Sequence, residues 1–146
     1  MAAPYGSGLR CAMTNEPTYR ADLRRARQAL VTAELADTPA DRFLAAHLAA
    51  LRVAAALLGV TAQRTGRGGP VDVWQVLVRA APEYAEWAAF FAATRGVWQA
   101  VSAGARNVVT ERQADDLLRD ATTFCDEVSH RLDTAWRQRP ARTGVG

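Results

Sequence analysis

Two residues with chemical potential stand close together in the stretch TPADRFLAAHLAALRVAAALLGVTAQR (residues 38–64): Arg42 and, five positions on, His47. An arginine can stabilise the charge of a pentavalent phosphorane, and a histidine can take or give the proton of a ribose 2′-hydroxyl. Together they would cleave RNA without a metal. On one helix, five residues at about 100° each set the two side chains about 140° apart. No narrow pocket formed by that helix alone holds both, so an active site would need a second copy of the helix from a symmetric partner subunit. The plainer reading is a surface arginine in a first turn and a hydrogen-bonded histidine at the edge of a core stripe.

Other chemistry is sparser. Arg20, Arg24 and Arg27 form a basic stripe on one helix face. Such a stripe can track a phosphate backbone, although most are solvated faces. Tyr84, Trp87, Phe91 and Trp98 recur at spacings of three, four and seven. Interleaved aromatics can stack on bases, but one this regular reads first as core. Glu127-x-x-His130 has the form of a dinuclear-metal ligand pair, yet such sites need a second copy and further inward carboxylates. The only other histidine is His47, and Leu44 stands where its glutamate would be. No metal site and no cofactor are expected. RTGRGG lacks both the spacing and the preceding strand of a phosphate loop.

The elements that must position these residues are helical. Pro17 opens a first helix with Tyr19, Leu23, Ala26, Leu30 and Ala33 on one face. Thr38, Pro39 and Asp41 read as the cap, first position and first turn of a second helix, antiparallel to the first. In it Leu44, Leu48, Leu51, Ala55 and Leu58 are expected to point inward. Residues 65–70 (TGRGGP) form a loop by composition. Val71–Ala81 is expected to be a short helix capped by Asp72, because no partner strand exists elsewhere. Pro82 begins another helix, with Gly96 and Gly104 bracketing its end. Thr110 and Gln113 make a capping box for the last. That helix is expected to turn Ala114, Leu117, Leu118, Ala121, Phe124, Cys125, Val128, Leu132, Ala135 and Trp136 inward and to end before Pro140. Its pairs Asp115–Arg119, Glu127–Arg131 and Asp133–Arg137 are spaced to interact along the outer face. The expected fold is all-α: an up-and-down bundle of four long helices plus one short one over residues 17–139, with a disordered tail at 1–16 and a short tail at 140–146.

Composition narrows the classes. The net charge is +3, and all 18 cationic residues are arginine. No segment is strongly basic, which argues against wrapping duplex DNA by charge alone. Two cysteines, Cys11 and Cys125, suggest no disulfide framework and fit a reducing cytoplasm. The N-terminus has no signal-peptide pattern. His47 and Arg52 interrupt the apolar run Phe43–Val60, so no membrane span is expected.

The segments RADLRRARQAL, RFLAAHLAALRVAAALL, PEYAEWAAFFAA and ADDLLRDATTF, with Arg42-x4-His47 among them, resemble the HEPN superfamily (higher eukaryotes and prokaryotes nucleotide-binding domain), in a small actinobacterial-type branch. The resemblance implies a helical bundle, frequent homodimers and, in many branches, ribonuclease activity from an Arg-x4–6-His motif at the dimer interface. Here only Arg42 and His47 match that motif. Two features depart from active members: Phe43 follows the arginine where a polar residue is common, and the motif lies in the second helix rather than towards the last. Three readings of function follow: a homodimeric module associated with RNA or a nucleotide and without catalysis, a metal-independent endoribonuclease, and a structural adaptor.

Overall fold

The computed structural model describes residues 17–61 and 72–140. The expectations placed on residues 1–16, on the loop 65–70 and on the tail from 141 lie outside the described residues. All described regular structure is helical: α1 Tyr19–Glu34, α2 Pro39–Val60, α3 Val73–Ala80, a 3-10 turn Pro82–Tyr84, α4 Ala85–Ala93, α5 Arg95–Ser102 and α6 Glu111–Gln138.

The long helices start where their caps dictate. Thr38 is extended, and its hydroxyl accepts the Asp41 amide at 3.1 Å, with Pro39 in the first turn where no donor is needed. At α6 the Thr110 hydroxyl accepts the Gln113 amide and the Gln113 side chain accepts the Thr110 amide, closing the expected capping box. Gly104, with φ +107°, makes the turn that leaves α5.

Helices α1, α2 and α6 form one half of the bundle. At one end Arg42 bonds Asp115 and Arg106 bonds Asp41; at the other, the Tyr19 hydroxyl donates to Asp133 at 2.7 Å. Helices α2 and α6 therefore run parallel, with α1 antiparallel to both. The seam is alanine: Ala26, Ala33, Ala46, Ala49, Ala50, Ala54 and Ala121 are completely buried. Side chains this small let helix axes approach closely. The other half is aromatic. Phe91 and Phe124, with centroids 5.2 Å apart, are surrounded by Trp74, Tyr84 and Trp87.

Four expectations need correction. The inward face of α2 is Phe43, Ala46, Ala50, Val53 and Leu57, while Leu44, Leu51, Ala55 and Leu58 are half-buried and Leu48 is 44% exposed. The leucine stripe is thus the outer arc of the central helix. Second, the helix opened by Pro82 is broken. The Thr94 hydroxyl donates to the Phe91 carbonyl at 2.7 Å, and its amide bonds the same oxygen at 3.1 Å, tightening the turn between α4 and α5. Gly96 consequently lies inside α5. Third, that break carries Trp98 away from the Tyr84–Trp87–Phe91 face to stack on His47. Fourth, the acids of the three expected α6 pairs bind other helices: Asp115 takes Arg42, Glu127 takes the Trp87 indole N–H and Asp133 takes Tyr19, while Arg131 pairs with Glu83. They tie the bundle together across helices.

Helix α2 is long and apolar enough to cross a membrane by length and composition, with a mean hydropathy of 1.9 over its most apolar window. Its Val53, Ala54 and Leu57 pack within the bundle.

Candidate functional site

The structure does not bring Arg42 and His47 together. Arg42 sits in the first turn of α2 facing the α1–α2 link. Its Nε donates to the Ala33 carbonyl at 3.3 Å, Nη2 to the Ala36 carbonyl at 3.2 Å and Nη1 to Asp115 at 2.5 Å. The guanidinium thus caps the end of α1, adding a donor to the Ala33 carbonyl beside the Ala36 amide and supplying one to the Ala36 carbonyl, and ties it to α6.

His47 lies on the opposite flank of α2 and is only 3% exposed. Its ring stacks on Trp98, with centroids 5.2 Å apart and planes 24° apart, and Nδ1 lies 3.1 Å from the Thr94 hydroxyl. That hydroxyl spends its only hydrogen on the Phe91 carbonyl. The imidazole Nδ1 must therefore be the donor, which leaves the lone pair on Nε2. Among the described residues Nε2 has no partner and no sealed polar side-chain atom goes without one, so Nε2 reaches open space. Burial, and then the nearby positive charge of Arg95, push the imidazole pKa down to about 4. At neutral pH the ring is an uncharged acceptor.

The space beside it is a cleft of about 460 Å³ lined by His47, Leu51, Asp72, Trp74, Arg95, Trp98 and other residues. Asp72 caps α3 through the Trp74 amide at 3.0 Å and bonds Arg95. Burial raises the Asp72 carboxyl, but the Arg95 guanidinium and the backbone amides outweigh it and hold it below the ordinary carboxylate range. The cleft so combines a stacking ring, an acceptor nitrogen, a guanidinium and a carboxylate. Residues Asp72, Arg95 and Trp98 escaped the sequence reading as site residues. Asp72 was legible as a cap and Trp98 as an aromatic, but their meeting depends on the break at Thr94.

The basic stripe lies beside the acidic edge of α6. Arg27 pairs with Asp126 at 2.6 Å and Arg20 with Asp133 at 3.6 Å, and Arg24 shares a shallow groove with Asp133 and Ser129. His130 is exposed, and no cluster of histidine, cysteine and carboxylate among the described residues could hold a metal.

A family model described as SAV_6107-like HEPN matches residues 33–129, from the last turn of α1 through most of α6. The match contains Arg42, His47 and every residue named in the cleft. No curated protein and no solved structure matches the chain.

Proposed function

The chain belongs to the SAV_6107-like HEPN family, and from that premise we propose that it is a homodimeric cytoplasmic module that associates with RNA or a nucleotide without cleaving it. The observation that carries this reading is the engagement of Arg42. All three nitrogens of its guanidinium donate within the chain, which uses three of its five N–H groups and holds it on α1 and α6, so a phosphorane would have to compete with the bonds that tie α1, α2 and α6 together. His47 supports the same reading: a base with a pKa near 4 is far from the operating pH at which proton transfer is efficient. The cleft offers Trp98 for stacking and Arg95 for an anionic group, the residue types that single-stranded RNA and nucleotides use.

Dimerisation is supported by the outer arc of α2. Leu44, Leu48, Leu51, Ala55 and Leu58 alternate at spacings of four and three, the period of a helix–helix seam, and remain half-covered within one chain. Leu51 also lines the His47 cleft, so a pair joined along this arc places two clefts beside its axis. The buried Cys125 thiol, raised by burial, suits a reducing compartment.

Wild type and His47→Ala, incubated with total RNA in excess EDTA, should leave it equally intact. Cleavage seen only with wild type would restore the endoribonuclease reading through Arg42 and His47. Sedimentation should give a dimer for wild type and a monomer for Leu48→Glu; a monomeric wild type removes the seam from the proposal. Failure to retain RNA or nucleoside monophosphates leaves the structural adaptor.

A further inference from the structure

On the far side of the aromatic core, a groove of about 670 Å³ opens between the Pro82–Ala93 segment and α6. Tyr84, Trp87 and Phe90 form its apolar wall, and Glu83, Glu86, Glu127 and Arg131 its polar one. One part already holds a cation. The Arg131 guanidinium lies 5.3 Å from the centre of the Tyr84 ring and pairs with Glu83 at 2.9 Å. The neighbouring part repeats the same chemistry without one. Trp87 and Phe90 meet edge to face at 6.3 Å, and Phe90 is 39% exposed. Glu127 accepts the Trp87 indole N–H at 2.9 Å, which leaves most of its lone pairs open. Among the described residues neither Glu127 nor the exposed Glu86 pairs with a cation. Three carboxylates against one guanidinium leave the groove two negative charges in excess, on a chain whose net charge is +3.

We infer that this groove docks an arginine-bearing segment of a partner protein, with the guanidinium against Trp87 and Phe90 and its N–H groups directed to Glu86 and Glu127. Arginine fits better than lysine because its flat cation stacks on an aromatic face while its edge bonds a carboxylate. Arg131 on Tyr84 and Glu83 is the same arrangement made within the chain. Phosphate is a poor occupant, since three carboxylates line the groove.

The test uses the full chain and a capped Ser-Arg-Ser-Arg-Ser peptide, compared with the same peptide carrying neutral citrulline for arginine. The Trp87 indole N–H resonance, assigned through Trp87→Phe, reports the groove. The arginine peptide should shift that resonance and the citrulline peptide should not. Glu86→Gln and Phe90→Ala, both at exposed positions, should each weaken binding about fivefold, the scale of one exposed cation–π or charge contact. Equal binding of the two peptides, or affinity unmoved by both variants, overturns the proposal. So does spermine shifting the resonance as strongly as the peptide, which would make the occupant a small polyamine. Self-association abolished by Glu86→Gln would instead assign the groove to a second copy and equally overturn the partner.

Discussion

Phe124→Ala should unfold this protein more easily by about 3–5 kcal/mol, the usual cost of emptying a buried phenylalanine site. The ring is completely buried and sits within 5.2–6.5 Å, centre to centre, of Phe91, Trp87, Tyr84 and Trp74. Two separate losses add. The transfer energy of the ring goes, and so do its edge and stacking contacts with four aromatic neighbours. Collapse into the hole is hindered because Trp87 is held by Glu127 and Tyr84 by Arg131. Against a total stability of about 5–15 kcal/mol for such a domain, the variant would stand near its threshold. Urea denaturation gives the number, and Phe90→Ala serves as the comparison. Phe90 is 39% exposed, so its loss should cost under about 1.5 kcal/mol. Equal costs at the two positions would mean that the aromatic half is not a packed core.

The second large effect is a dependence on pH. The unfolded chain protonates His47 near 6.5 and the folded chain only near 4. Between those values the unfolded state binds the extra proton, so stability is complete above pH 6.5, falls as pH drops through the window and levels off below 4. From pH 7.5 to 5 the loss should be about 2 kcal/mol. The ring is faced by the Thr94 hydroxyl, the Trp98 indole and the Arg95 guanidinium. Asp41 and Asp72 both have carboxyl groups held below the ordinary value, Asp41 chiefly by Arg106, so their contributions are lost only at lower pH. His47→Gln keeps a donor for Thr94 and removes the titration. Urea midpoints at pH 7.5, 6 and 5 should fall more steeply for wild type than for the variant. Parallel slopes would show that the imidazole protonates freely in the folded chain.

How much of this was legible beforehand varies by element. The side-chain caps at Thr38, Asp72 and Thr110 are readable because each depends on residues two or three apart. The face of α1 was readable because charged residues contrast with apolar ones along it. In α2 that contrast is missing. Nearly every residue from Phe43 to Val60 is apolar, so only side-chain size separates the faces, and size points the larger leucines inward. The bundle instead buries the alanines, since close helix approach favours small side chains on the contact side. The pairing of Arg42 with Asp115 spans 73 positions, and the cleft joins His47 to Trp98 across a turn set by one threonine hydroxyl. Local spacing carries no record of such meetings. The Arg42–His47 motif was visible as a spacing, but the surroundings of each residue come from other helices.

The alanine seam has a consequence for the history of the chain. Alanine has no rotamer to change, so α1, α2 and α6 cannot answer a larger neighbour by reorienting a side chain; an added methyl group must push two backbones apart. Tolerance of sequence drift is therefore lopsided. The aromatic half can trade one ring or branched chain for another, whereas its counterpart is close to frozen, and homologues that keep this architecture should diverge mainly on the aromatic side.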